Sequence, residues 1–89
     1  MKRKSNAGVV DDIRVVLGKQ VRRLRKEAGL SQDVVAEHCG IFRTYLSRIE
    51  NGTANPRVTV LAALATMLGV GVWDFFDEGA HDKVGPSDF

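Results

Sequence analysis

Four polar side chains with helical spacing provide the clearest chemistry in this 89-residue sequence. They are Arg43, Thr44, Ser47 and Arg48. At about 3.6 residues per turn, such positions share one face of a helix. An arginine on that face can pair bidentately with guanine in the major groove of DNA, and a threonine methyl can touch the methyl of thymine. The spacing therefore predicts a helix whose outer face can read base edges.

The elements around this helix must anchor its opposite side. The apolar residues that can do so are Val35, Ile41, Leu46 and Ile49. Ala36 is small at a point where the next helix must cross closely. Gly40, four residues later, supplies the positive φ of a short interhelical turn. The segment thus predicts two short helices packed at a steep angle.

Helical periodicity continues on both sides of this pair. Apolar residues recur from Ile13 to Ala28, and Gly29 predicts a left-handed cap at the end of that first helix. Ser31 predicts the N-cap of the second helix. The third helix begins near Arg43 and closes at Asn51-Gly52.

Two further helices follow in the pattern. Asn55 and Pro56 predict the cap and the first position of a fourth helix that runs to about Leu68. Residues 72–77 can add one or two turns. Since the sequence shows no strand-like alternation, we expect a compact all-α, five-helix domain over residues 11–78, between a flexible basic arm (1–10) and a flexible acidic tail (79–89).

The net charge of +2 conceals an uneven distribution. Residues 1–26 carry nine Lys or Arg against two acidic residues, whereas residues 74–89 carry five acidic residues against Lys83. This asymmetry suggests a polyanionic partner on one side, although a merely solvated surface explains the charge equally well. One cysteine and no signal-like apolar stretch predict a chain of the reducing cytoplasm.

Enzymatic chemistry finds little support in the sequence. His38 and Cys39 are helix neighbours about 100° apart, so both cannot bind one metal ion. No glycine-rich phosphate loop occurs, and no recognisable pattern places a base beside a serine. The sequence therefore predicts no enzyme, no metal site and no cofactor.

Five segments resemble the lambda-repressor and Cro-like helix-turn-helix family, also called XRE-type regulators, over about residues 13–77. They are LGKQVRRLRKEAGLSQ, VVAEHCG, LSRIENG, NPRVTVLAALATMLGV and WDFF. The resemblance implies a lambda-repressor-like fold that binds double-stranded DNA. The stretch GIFRTYLSRIENG is also similar to the small controller proteins of restriction–modification systems.

The resemblance assigns roles to individual positions. Gln32 is similar to a glutamine that holds a phosphate and braces the recognition helix, and Asn51 to a residue that contacts phosphate. The positions that resemble base-reading positions or their neighbours are Arg43, Thr44, Tyr45, Ser47 and Arg48. Arg25 and Glu50 match an internal salt bridge of some members.

Two positions depart from the family pattern. Phe42 replaces the usual polar N-cap of the recognition helix, at a cost of about 1 kcal/mol. Its ring can lie against the sugar-phosphate backbone, touch a thymine methyl or cover the second helix. Thr53-Ala54 stand where controller proteins tend to carry a basic residue, which removes one expected DNA contact.

Outlying basic and aromatic residues supply further candidates. Arg22, Arg23 and Lys26 are candidate phosphate contacts, and residues 2–4 are either a minor-groove arm or a solubilising tail. A cluster of three aromatic residues near the C-terminus predicts a two-fold dimer interface. The alternative is that these side chains complete the hydrophobic core. The members of the cluster are Trp73, Phe75 and Phe76.

The leading hypothesis is a homodimeric, sequence-specific transcriptional regulator without a small-molecule ligand. A two-fold pair would place its recognition helices about one DNA turn apart, on an inverted-repeat operator. The alternative is an antitoxin or adaptor that binds another protein through the C-terminal aromatic residues and the acidic tail.

Overall fold

The computed structural model describes residues 6–77, with side-chain surroundings from residue 13 onward. Within this range there are four α-helices and a C-terminal 3₁₀ helix, without a strand. The elements are α1 (Asn6–Glu27), α2 (Gln32–Cys39), α3 (Arg43–Glu50), α4 (Val58–Leu68) and the 3₁₀ helix (Val72–Phe76). The all-α prediction is confirmed. Residues 1–5 and the predicted tail lie outside the described residues.

The five-helix count is wrong because the last element is a short 3₁₀ helix. It closes with a hydrogen bond of 3.0 Å from the Asp74 amide to the Gly71 carbonyl. The Asp74 carboxylate in turn accepts a bond of 2.9 Å from the Gly71 amide. These reciprocal contacts suit a tight turn of five residues rather than an α-helix.

Helix α1 begins earlier than the sequence pattern predicts. It already includes residues 6–10, which the pattern places in a flexible arm. Once a helix is nucleated, each further residue adds a backbone hydrogen bond, and no proline interrupts this stretch. The structure thus assigns residues 6–10 to α1, and the boundary between arm and domain stays a prediction.

The predicted caps around α2 are confirmed. Gly29 has a φ of +73° and Gly40 a φ of +71°, in the left-handed region that glycine adopts without a Cβ penalty. The Ser31 side chain accepts a hydrogen bond of 3.1 Å from the Val34 amide. The 31–40 segment therefore places α2 and α3 as a helix-turn-helix unit.

The start of α4 differs from the prediction at Asn55-Pro56. The helix begins at Val58, and Arg57 occupies the N-cap position with extended backbone (ψ 156°). Ala54 is buried, at 2% exposure, and so anchors the connection before the helix begins. Because the Arg57 carbonyl accepts the first helical bonds, neither Asn55 nor Pro56 has its predicted role.

The core is formed by the inner faces of all five elements. Phe75 is completely buried in it, so its predicted place in a dimer interface is wrong. The 3₁₀ helix packs against α1 and α4 and turns Phe75 inward, whereas Trp73 stays 83% exposed. Within residues 6–77, no helix is both long and apolar enough to cross a membrane.

Gly18 marks a close approach of α1 and α3. A Cβ at this position would overlap the Ile49 carbonyl oxygen and lie 2.6 Å from that of Glu50. Both atoms belong to backbone, so a rotamer change cannot relieve the overlap. The absence of a side chain at Gly18 therefore lets the end of α3 rest directly on α1.

We expect Gly18→Ala to lower the free energy of unfolding by about 1–3 kcal/mol, because overpacking outweighs the gain in helix propensity. Urea denaturation measures the change. Gly71→Ala is the matched control, since its Cβ would meet only an Asp74 oxygen at 3.8 Å. If Gly18→Ala is no less stable than Gly71→Ala, the close approach is wrong.

Candidate nucleic-acid interface

Helix α3 presents a polar face outward and an apolar face inward. Arg43, Thr44 and Arg48 are exposed, and Ser47 is half-buried beside them. On the other side, Leu46 and Ile49 are at most 1% exposed. Eight residues are too few for a stable isolated helix, so the buried face must hold α3 in place. The structure thus brings the predicted base-reading residues together on one surface.

A buried ion pair fixes the end of α3. The Arg25 guanidinium donates two bonds to the Glu50 carboxylate, of 2.6 Å from Nε and 3.0 Å from Nη2. Arg25 Nη1 also donates a hydrogen bond of 2.9 Å to the Leu30 carbonyl. Its hydrogen bond to Glu50 raises the pKa of Arg25 further, so the guanidinium stays charged at ordinary pH. The predicted salt bridge is confirmed.

Gln32 connects α2 to the same carboxylate. Its Nε2 donates a hydrogen bond of 3.1 Å to Glu50 Oε1. This contact joins the first residue of α2 to the last residue of α3, as expected of a glutamine that braces the recognition helix. A phosphate contact by the remaining atoms of Gln32 stays a prediction.

The two arginines of the outer face are held differently. Arg43 Nε lies 3.3 Å from Asp33 Oδ1, a carboxylate on α2. Arg48 lies over the ring of Tyr45, with 5.9 Å between its guanidinium carbon and the ring centroid, and reaches the Thr53 carbonyl at 3.5 Å. Tyr45 is half-buried, which places it between core and surface. The Asp33–Arg43 pair is not predictable from the sequence, because no periodic signal links residues ten apart on different helices.

Phe42 projects from the start of α3 without capping it. Its side chain makes no capping hydrogen bond and the residue is 84% exposed. The interpretation that Phe42 covers α2 is therefore wrong, since a ring packed on that helix would not be so exposed. The ring borders a shallow, open groove beside the outer face of α3, lined by Gly40, Ile41, Tyr45, Arg57 and Val60.

The outlying polar candidates are spread over α1 and the end of α3. Arg22 and Lys26 are exposed. Arg23 bonds along its own helix instead, to Gln20 at 2.7 Å and to Glu27 at 3.0 Å. Asn51 is exposed at the end of α3, where its amide bonds the Ser47 carbonyl at 2.9 Å. All four side chains are at least partly exposed to solvent, so each remains accessible to a ligand.

Metal or thiol chemistry gains nothing from the geometry. Across the described range, His, Cys, Asp and Glu form no group of three or more that could hold a metal ion. Burial raises the pKa of the Cys39 thiol, which keeps it protonated and weakly nucleophilic. The outer face of α3 is therefore the surface of the described residues with side chains suited to binding a ligand.

Known proteins share this arrangement. A family described as "Helix-turn-helix domain" matches residues 16–73. An uncharacterized HTH-type transcriptional regulator of Sinorhizobium fredii, y4dJ, is 44% identical over 59 residues, which is 66% of this chain and 77% of the relative.

Two solved structures extend the likeness to three dimensions. The restriction–modification controller protein C.AhdI from Aeromonas hydrophila has a TM-score of 0.68 at 33% identity, over 71% of this chain and 96% of its own. SinR, a master regulator for biofilm formation solved in complex with DNA, has a TM-score of 0.64 at 35% identity, over 68% of this chain and 98% of its own. The two-helix unit and its surrounding helices thus match regulators along most of their length.

We expect Glu50→Ala to lower the free energy of unfolding by about 3–5 kcal/mol, because it leaves the Arg25 guanidinium buried without its partner. Thermal and urea denaturation measure the loss. The control, Glu27→Ala, removes the partner of Arg23 from a largely exposed pair and should cost about 0–1 kcal/mol. Equal losses in the two variants would show that the Arg25–Glu50 pair does not anchor α3.

Proposed function

The chain belongs to the helix-turn-helix family of transcriptional regulators, and we propose that it is a cytoplasmic, sequence-specific DNA-binding protein that acts as a homodimer on an inverted-repeat operator. The observation that carries this proposal is the outer face of α3. Two exposed arginines and a threonine stand there on a helix whose other side is fully anchored. Regulators of this kind act by binding DNA rather than by catalysis.

The recognition contacts follow from the residue types. Arg43 and Arg48 can each offer a planar fork of donors to guanine, and the Thr44 methyl can meet the methyl of thymine. Ser47 and Tyr45 flank them. Contacts to the sugar-phosphate backbone, which fix register without reading sequence, are assigned to residues of α1, to the first residue of α2 and to the two ends of α3. They are Arg22, Arg23, Lys26, Gln32, Phe42 and Asn51.

The dimer interface is proposed at the C-terminal 3₁₀ helix. Trp73 is 83% exposed and Phe76 is 37% exposed, so a lone protomer leaves two aromatic rings facing water. Burying an aromatic ring is worth several times the thermal energy, which favours pairing of this surface with its two-fold copy. Phe75 has no part in this surface because it completes the core.

A restriction–modification controller is the narrower assignment that we favour. The controller C.AhdI matches over 96% of its own length, so the likeness includes essentially the whole of that protein. The exposed Trp73 also fits the alternative of an antitoxin or adaptor that binds another protein. Selection of duplexes from a random pool, followed by gel shifts at rising salt, separates these functions, because a pure adaptor would retain almost no DNA.

We expect Arg43→Ala to weaken binding to the selected duplex by about 1–3 kcal/mol and to leave binding to random DNA nearly unchanged. Fluorescence anisotropy on both duplexes measures the difference. Arg22→Ala is the control for a phosphate contact. It should weaken binding to both duplexes alike and reduce the slope of log affinity against log salt concentration by about one. Losses of equal size on both duplexes would make Arg43 a phosphate contact.

We expect Trp73→Asp to convert the dimer into monomers, because it places a charge in an interface that must exclude water. Sedimentation velocity over a range of concentrations measures the state of association. Val58→Asp, at an exposed apolar residue that begins α4, serves as the control and should remain dimeric. A Trp73→Asp dimer as strong as that of the unmodified chain would move the interface elsewhere.

A further inference from the structure

We propose that Asp33 is a positioning residue that orients Arg43 for guanine. This inference rests on the proposed function, since it concerns how the outer face of α3 reads a base. Asp33 lies in the first turn of α2 and Arg43 is the first residue of α3. The ion pair between them therefore spans the two helices that form the helix-turn-helix unit.

The atoms involved determine which part of Arg43 stays available. The Asp33 carboxylate lies 3.3 Å from Arg43 Nε, at the base of the guanidinium. Among the residues that the structure describes, the terminal Nη1 and Nη2 of Arg43 donate no hydrogen bond. Those two nitrogens form one edge of the fork, and that edge can donate bidentately to O6 and N7 of guanine. Asp33 thus occupies the inner edge of the fork and leaves the outer edge open.

The pair is too exposed to serve mainly as a stabiliser of the fold. The side chains of Arg43 and Asp33 are 60% and 78% exposed. Ion pairs that are open to solvent in this way contribute little to folding. By contrast, restricting a long, flexible arginine before binding lowers the entropy that the protein–DNA complex must lose. The useful effect of Asp33 is therefore expected in recognition.

A negative charge at this surface also has a cost. Asp33 faces a polyanion when DNA is bound, so on electrostatic grounds alone its removal should strengthen binding to every duplex. If Asp33 positions Arg43, its removal should instead weaken the specific complex while binding to random DNA holds or improves. The opposite signs make the two roles distinguishable.

The test compares Asp33→Ala with Glu37→Ala on the selected duplex and on random DNA. Glu37 is an exposed acid of the same helix for which the described range shows no ion pair, so it controls for the loss of one charge. We expect Asp33→Ala to reduce the ratio of specific to random affinity by about two- to fivefold. Glu37→Ala should leave that ratio unchanged.

A double-mutant cycle with Arg43→Ala assigns the effect to this pair. In the Arg43→Ala background, Asp33→Ala should no longer reduce specificity. Asp33→Asn, which keeps the shape and loses the charge, should fall between the unmodified chain and Asp33→Ala. Thermal melting of each variant shows that the fold is retained.

Two results would overturn the inference while leaving the proposed function intact. In the first, Asp33→Ala behaves like Glu37→Ala although Arg43→Ala still loses specificity. In the second, Asp33→Ala loses the same specificity with or without Arg43, as it would if the carboxylate accepted a bond from cytosine itself. If the unmodified chain does not distinguish the selected duplex from random DNA, the proposed function itself fails, and this inference with it.

Discussion

The buried carboxylate of Glu50 is the constraint on which the orientation of α3 depends. It receives bonds from Arg25 on α1 and Gln32 on α2, so one side chain at the end of α3 ties three helices together. Taking two charges out of water is costly, and a well-packed apolar pair can be equally stable. What the ion pair adds is direction, because a bidentate guanidinium–carboxylate contact admits few geometries. The rotation of α3 about its own axis is thereby limited.

Close backbone contact completes this restraint from the other side. At Gly18 the carbonyl oxygens that end α3 lie where a Cβ would be, so α1 and α3 meet without an intervening side chain. A shift of α3 along α1 would disrupt this contact and the Glu50 bonds together. The leucine and isoleucine of the inner face, Leu46 and Ile49, add apolar burial that is less directional. Polar geometry and close packing therefore position a helix that apolar burial alone would leave free to turn.

Much of this arrangement follows from sequence patterns with a local physical cause. The predictions at Gly40 and Ser31 are confirmed because a left-handed turn and a helix cap each demand a particular residue type. Asn55 and Pro56 carry an equally good local signal, yet α4 begins only at Val58, after the buried Ala54. The burial of Ala54 is a feature of tertiary packing, which no pattern in one sequence reports.

The candidate site shows the same division. The outward face of α3 is predictable because helical periodicity separates it from Leu46 and Ile49. The Arg25–Glu50 pair comes from resemblance to a family, since residues 25 apart give no periodic signal. Phe75 and Trp73, two residues apart in a 3₁₀ helix, have opposite surroundings that depend on how that short turn packs. The roles of Asp33 and Gly18 cannot be predicted from the sequence, because each acts through a partner that is remote along the chain.

The separation of anchoring from reading explains how so small a domain can carry specificity. The residues that hold α3 in place are buried or lie at its end. Arg43, Thr44 and Arg48 lie on the outer face instead, and no hydrogen bond found in the described range joins them to the Glu50 carboxylate. Substitutions on the outer face should therefore change what is read without changing whether the helix forms, since sites without shared partners act nearly additively. A change at Gly18 or Glu50 acts in the opposite way, because it moves the whole reading surface at once. The eight residues of α3 can accordingly diverge on one side only.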